Sequence, residues 1–99
     1  MKKISSKQLE ELVQWRVLNN AIVKNFSFSS FKEAIEFVNQ IAQIAEEHHH
    51  HPEINIDYNS VEISLTTKDC GEITDKDFVL AQEIDILYKK YKYGMVYEK

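Results

Sequence analysis

The chain has 99 residues, a length that predicts one domain over residues 1–99. It carries 16 acidic and 12 basic side chains, which give a formal net charge of −4. Because phosphate contacts need clustered Lys and Arg, this composition disfavours direct nucleic-acid binding. No stretch approaches the ~18 apolar residues that cross a membrane, and the single cysteine, Cys70, excludes an intrachain disulfide and a Cys-based zinc site. With no signal-peptide pattern after Met1, these features predict a cytoplasmic protein without membrane association.

The N-terminal part predicts a short helix followed by a β-hairpin. Ser5 and Gln8 have the spacing of a capping box, so the helix is expected to start there and to run to about Gln14. Its apolar positions are Leu9, Leu12 and Val13. The hairpin is predicted over residues 15–28 around Asn19-Asn20, because asparagine tolerates the positive φ of tight hairpin turns.

A second, longer helix is the strongest local signal in the chain. Ser30 and Glu33 form a predicted capping box, and the helix is expected to end near His49. Its apolar stripe comprises Phe31, Ala34, Ile35, Val38, Ile41, Ala42 and Ala45. Phe37 and Ile44 widen this stripe to about half the circumference. Either part of that face contacts a second subunit, or the helix is deeply buried in a small domain.

The remaining elements are a second hairpin and a last helix. Pro52 ends the preceding helix, and apolar residues then alternate around a predicted turn at Asn59-Ser60. The alternating residues are Ile54, Ile56, Tyr58, Val61, Ile63 and Leu65. Thr74 and Asp77 predict the cap of the last helix, which Gly94 would end. The fold class is therefore α+β: a four-stranded antiparallel sheet with helices on one face, in the order α-β-β-α-β-β-α.

All four histidines are contiguous, His48 to His51, at the predicted end of the second helix. The helix dipole and nearby Glu46 favour imidazolium there, and imidazole changes its charge near neutral pH, which suits acid–base catalysis. A merely solvated helix end explains the same residues equally well. A metal site built on His48 and His51 is disfavoured because Pro52 disrupts their helical spacing and no further clustered ligand is visible.

The wider pattern resembles the signature of the pterin-4a-carbinolamine dehydratases. The matching positions are Glu46, His50-His51-Pro52, Tyr58, Lys68 and Asp77. The resemblance spans about residues 15–84 and implies the same α+β fold, no metal and no cofactor. It also implies a homodimer or homotetramer that dehydrates a 4a-hydroxytetrahydropterin to the quinonoid dihydropterin.

The resemblance further assigns roles to five residues. It implies that His50, His51 and Asp77 are catalytic, with one histidine acting as acid or base and the other holding the pterin. Glu46 matches the acidic residue that orients a histidine or accepts a pterin N–H, and Lys68 stands where the family usually carries a third histidine. Because lysine is cationic at neutral pH, we hypothesise that Lys68 forms an ion pair with Asp77; the alternative is a lysine that points into solvent.

Two functions therefore remain. The first is a dehydratase that works by histidine acid–base catalysis. The second is a catalytically weak or inactive dehydratase-like protein that binds a partner or assists assembly, since loss of one catalytic position is what a retired active site would show. A pure scaffold gives no physical reason to keep consecutive histidines at a helix end, so His50 and His51 favour the enzyme.

Overall fold

The computed structural model describes residues 2–92. The elements are α1 (Ser6–Glu11), β1 (Arg16–Leu18), β2 (Ala21–Ser27), α2 (Phe31–His48), β3 (Glu53–Asp57), β4 (Ser60–Leu65) and α3 (Asp75–Lys92). This confirms the predicted α+β order. Gly94, the expected end of the last helix, lies outside the described residues. Within residues 2–92 no helix has the length and apolar character needed to cross a membrane.

The four strands form one antiparallel sheet in the order β1-β2-β4-β3. Alternation places one set of apolar side chains on a single face of the two central strands, where Ile22 pairs with Leu65 and Phe26 with Val61. The Phe26 ring contacts Phe37 of α2 and Tyr88 of α3, at centroid distances of 5.2 and 4.9 Å. Both long helices therefore pack on the same face of the sheet, and the core lies between the sheet and these helices.

The two hairpin turns differ in how well the sequence located them. Asn19 and Asn20 have φ values of 51° and 63°, the left-handed conformation of a type I′ turn, so that prediction is confirmed. The second turn is Tyr58-Asn59, one residue earlier than predicted. The Asn59 amide donates to the Phe28 carbonyl at 2.9 Å, which ties Asn59 to the end of β2 and leaves the positive φ to Tyr58. Tyr58 is consequently exposed.

Helix α1 begins as predicted but is shorter. The Ser5 hydroxyl accepts from the Gln8 N–H, and the Gln8 side chain accepts from the Ser5 N–H, which confirms the capping box. The helix ends at Glu11 rather than near Gln14, because the chain turns at a φ of 70° on Gln14 to enter β1. Val13, expected on the apolar face, is 70% exposed.

Helix α2 starts at the predicted cap, with the Ser30 hydroxyl accepting from the Glu33 N–H. The Glu33 carboxylate, however, accepts from the backbone and hydroxyl of Ser29 rather than completing a capping box with Ser30. Phe37 is fully buried in the core and Ile44 is half-buried. The small domain itself therefore buries Phe37, as the second of the two alternatives expects.

Candidate active site

The end of α2 directs consecutive histidines to different places. His49 adopts the left-handed conformation with φ of 51°. Its N–H donates to the Glu46 carbonyl at 3.2 Å, and the His50 N–H donates to the Ala45 carbonyl at 3.0 Å. These two bonds form a Schellman motif, in which the last helical carbonyls are satisfied while the chain reverses. As a result His50 turns towards α3, and His51 lies on the outer side next to Glu46.

His50 contacts Asp77, which comes from the first turn of α3. The His50 Nε2 lies 2.6 Å from the Asp77 Oδ1, and the two side chains are 10% and 0% exposed. A fully buried carboxylate is costly unless hydrogen-bond donors or a positive charge compensate it. The geometry therefore fixes the ring of His50 and favours a proton on its Nε2, while the Nδ1 atom has no hydrogen-bond partner among residues 2–92.

The second carboxylate oxygen of Asp77 is also fully engaged. Its Oδ2 accepts from the Thr67 hydroxyl at 2.8 Å and from the Thr74 N–H at 2.9 Å. The hydroxyls of Thr67 and Thr74 are 2.7 Å apart, and the Thr74 oxygen in turn accepts from the Lys76 N–H. Asp77 thus supports the helix start, as its capping position predicted, and holds His50 at the same time.

His51 makes the second histidine–carboxylate contact. Its Nε2 lies 2.5 Å from the Glu46 Oε2, and the side chains are 61% and 76% exposed. Because water screens this pair, it orients the ring more weakly than Asp77 orients His50. His48 instead contacts Glu83 at 2.7 Å, so His48 and His51 have separate partners. Residues 2–92 bring together no group of three or more His, Cys, Asp or Glu side chains that could hold a metal ion.

The expected ion pair between Lys68 and Asp77 is absent from the described part of the chain. Both oxygens of Asp77 are already bound, by His50 on one side and by Thr67 and Thr74 on the other. The Lys68 side chain is exposed. The hypothesis is wrong because His50, Thr67 and Thr74 already satisfy the buried carboxylate. An ammonium group would also have to lose its hydration to contact Asp77.

An open cleft of about 250 Å³ lies at the end of α2. Its lining includes His50, His51, Thr67, Lys68 and Lys76. A larger cleft of about 420 Å³ lies beside α1, but its lining contains no histidine. We take the smaller cleft as the candidate active site, because it joins a buried histidine–carboxylate pair to open space. Glu46 touches His51 at its rim rather than lining it.

Two features of the structure were not predicted from sequence. Thr67 is 3% exposed and donates a hydrogen bond to Asp77. In the sequence, the only indication of this role is that Thr67 lies within the segment that resembles the family. Away from the cleft, the Lys24 ammonium lies 2.7 Å from Asp85, which also accepts from the Trp15 indole at 3.0 Å. That second cluster fastens β2 to α3. Nothing in the spacing of its residues indicates the contact, since it joins three separate segments.

Comparisons with known proteins point to one family. The model of the family "Pterin 4 alpha carbinolamine dehydratase" matches residues 2–87. A protein of Sulfurisphaera tokodaii named "Putative pterin-4-alpha-carbinolamine dehydratase" is 44% identical over 91 residues, which cover 88% of this chain and 98% of the relative. A protein with the same name from Picosynechococcus is 46% identical over 80 residues, covering 81% of this chain and 87% of that one.

Two solved structures are also similar. A Brucella melitensis protein described as a transcriptional coactivator/pterin dehydratase has a TM-score of 0.82 and 28% identity, covering 88% of this chain and 99% of its own. A pterin dehydratase-like protein described as a RuBisCO assembly factor in the alpha-carboxysome has a TM-score of 0.65 and 26% identity, covering 76% of this chain and 89% of its own.

Proposed function

Because the chain belongs to the pterin-4a-carbinolamine dehydratase family, we propose that it dehydrates a 4a-hydroxytetrahydropterin to the quinonoid dihydropterin. In this reaction the bond between C4a and the hydroxyl oxygen breaks, and the oxygen leaves as water after it gains a proton. A ring N–H gives up its proton, and its electrons form the new C=N bond. The reaction therefore needs one proton donor and one proton acceptor, with no change of oxidation state.

The observation that carries the proposal is the contact between His50 and the buried carboxylate of Asp77 at 2.6 Å. A carboxylate that holds one imidazole nitrogen leaves the other nitrogen positioned to exchange a proton with a substrate. It also stabilises the imidazolium that forms when His50 accepts that proton. In our proposal His50 takes the ring proton through Nδ1, and Asp77 keeps the ring in place without touching the pterin.

His51, Glu46 and Lys68 complete the proposed site. His51 is open to the cleft and, as imidazolium paired with Glu46, donates the proton that the departing hydroxyl needs. The exposed Glu46 carboxylate accepts a hydrogen bond from an N–H of the pterin when the substrate approaches. Lys68 lines the same cleft as a fixed cation, so it binds substrate rather than moving protons. The resemblance implies no metal and no cofactor.

The test is a dehydration assay. A 4a-hydroxytetrahydropterin is generated by a phenylalanine hydroxylase, and its decay is followed with this protein, with His51→Ala and with no protein. The proposal predicts acceleration by the unmodified protein and a loss of about 100-fold or more in the variant, the usual contribution of an acid–base residue. No acceleration by the unmodified protein would overturn it.

The exposed Lys68 favours a second candidate function. With a lysine at the usual third-histidine position, the site lacks one acid–base group, and the protein would act as a partner-binding or assembly factor. The similar RuBisCO assembly factor shows that such a fold occurs in a protein of that description. Lys68→His separates the candidates: activity that appears only in this variant supports the binding role, whereas activity already present in the unmodified protein supports the enzyme.

We also propose that the protein forms a homodimer or homotetramer. Ile86 of α3 is exposed, and it lines a groove with the half-buried Ile44 of α2. A symmetric interface would bury the same apolar patch on each subunit. Sedimentation equilibrium at micromolar concentration measures the mass directly, and a monomer at all concentrations would contradict this part of the proposal.

A further inference from the structure

The charge of the cleft differs from the charge of the whole protein. The chain carries a net charge of −4. The lining of the cleft, in contrast, contains two lysines, Lys68 and Lys76, and one acidic residue, Asp69. Lys68, Asp69 and Lys76 are all exposed. The balance of these three side chains is one positive charge, before any histidine is protonated.

The other carboxylates near the cleft do not reverse that balance. Glu46 contacts His51, and this pair is neutral when His51 is the imidazolium of the proposed reaction. A neutral His50 leaves one negative charge on Asp77, but Asp77 is fully buried behind His50 and does not line the cleft. Glu72, which follows on the Lys68 loop, lies 3.4 Å from the ammonium of Lys3. Neither Lys68 nor Lys76 makes a side-chain ion pair within residues 2–92, so both ammonium groups are available to a ligand.

The positions of the two lysines relate them to the proposed reaction. Lys68 follows directly after Thr67, and Lys76 directly precedes Asp77, so both flank the residues that hold His50. His50, His51, Lys68 and Lys76 line the same cleft of about 250 Å³, so a pterin ring bound at the histidines and an anionic group bound at the lysines would share one cleft. Lysine has a flexible four-carbon stem, so its ammonium can follow a group in that space.

We propose that the substrate of this protein is a pterin whose side chain carries an anionic group, a phosphate ester or a carboxylate, which Lys68 and Lys76 bind. This inference rests on the proposed function and narrows its substrate class. It also gives Lys68 a role that a histidine would fill less well, because the lysine stays charged at the pH where imidazole loses its proton.

The experiment compares two ligands that differ by one phosphate group. Binding of 7,8-dihydroneopterin and of its 3′-phosphate is measured by titration calorimetry, with dihydrofolate as a ligand whose anionic group is a carboxylate. The variants are Lys68→Gln, Lys76→Gln and the double variant. Lys32→Gln is the control, since Lys32 is exposed in the first turn of α2 and lies about 24 Å along that helix from its histidine end, at 1.5 Å per residue.

The phosphate ester is expected to bind about 10-fold more tightly than the neutral pterin, and each lysine variant to remove about 3-fold of that preference, because charge-assisted contacts in an open cleft are individually modest. Lys32→Gln should keep the full preference. Added salt should reduce the preference, since exposed charges are screened. Dihydrofolate binding as tightly as the ester would identify the carboxylate as sufficient.

Other outcomes separate this inference from the proposed function. If the neutral pterin and the phosphate ester bind equally, or if the preference survives in the double variant, the inference is wrong while the dehydratase proposal stands. If none of these dihydropterins binds, the inference is wrong, and the dehydration assay alone decides the dehydratase proposal. Inorganic phosphate that binds as tightly as the ester would show a free anion site, and would also contradict the inference.

Discussion

The Nε2 atom of His50 lies 2.6 Å from the Oδ1 atom of Asp77, which is 27 residues further along the chain and fully buried. The contact joins the end of α2 to the start of α3 beneath the cleft. The other carboxylate oxygen of Asp77, Oδ2, accepts hydrogen bonds from the Thr67 hydroxyl and the Thr74 N–H. The carboxylate is therefore held in one orientation, and it holds His50 in turn.

Replacing Asp77 by Asn should lower the dehydration rate strongly. An amide at this position keeps the size of the side chain but removes the charge that stabilises imidazolium, and it can present an N–H to the wrong side of the ring. We expect kcat to fall about 100-fold or more. Asp75→Asn is the matched control, because Asp75 lies in the same helical turn and contacts the Lys2 backbone instead. Equal losses in both variants would contradict the role of Asp77.

Thr67 should act through Asp77. Thr67→Val leaves the buried Oδ2 of Asp77 with only the Thr74 N–H, so the free energy of unfolding should fall by about 1–3 kcal/mol. Because His50 is then held less firmly, kcat should fall about 10-fold while KM changes little. Thr67→Ser keeps the hydroxyl and should restore kcat. A serine variant as slow as the valine variant would show that the hydroxyl does not position Asp77.

His49 adopts a conformation that suits glycine. Its φ of 51° places it in the left-handed region, which costs an L-residue roughly 1–2 kcal/mol. His49→Gly should therefore raise the free energy of unfolding by about 1 kcal/mol in urea denaturation. His49→Ala, which keeps the Cβ atom, should give no such gain. A glycine variant no more stable than the alanine variant would be the contrary result.

Tyr91 should make stability fall at alkaline pH. Burial raises the pKa of the Tyr91 hydroxyl above 10.0, and the negative charges of Glu36 and Glu33 raise it further. The folded protein therefore holds this proton more tightly than the unfolded chain. The stabilisation is complete below pH 10 and is lost as pH rises from there through the folded pKa. In urea unfolding between pH 9 and 11, Tyr91→Phe should show a smaller decline than the unmodified protein.

A second tyrosine gives the control for this pH dependence. Tyr58 is exposed in the turn between β3 and β4, so Tyr58→Phe is the matched control, which removes a tyrosine hydroxyl from the surface. Other tyrosines and lysines also titrate in this range, and the difference between the two variants isolates Tyr91. Identical declines in both variants would contradict the prediction.

Local signals in the sequence predicted the order of the elements well. The caps at Ser5 and Ser30 and the turn at Asn19-Asn20 depend on the conformations of neighbouring residues, which short spacings describe. The turn at Tyr58-Asn59 was misplaced by one residue because a contact with Phe28, 31 residues away, decides it. Val13 is exposed because α1 ends at Glu11, so Val13 lies in the turn that leads into β1 and not on the helix.

For the site, the sequence indicated which residues belong together but not how they pair. The two histidines and Asp77 were named from the resemblance, and the structure brings His50 and Asp77 into contact. The pairing of Asp77 with Lys68 was wrong, because spacing cannot show which of two cations reaches a buried carboxylate. Thr67 was missed for the same reason: its importance comes from burial against Asp77.

The role of His50 is tested by the dehydration rate of a 4a-hydroxytetrahydropterin with the unmodified protein and with His50→Ala, each compared with the spontaneous rate. We expect the unmodified protein to accelerate the reaction and His50→Ala, with its fold verified by circular dichroism, to lose about 100-fold or more of that acceleration. An unmodified protein that gives only the spontaneous rate, or a folded His50→Ala variant that remains fully active, would contradict it.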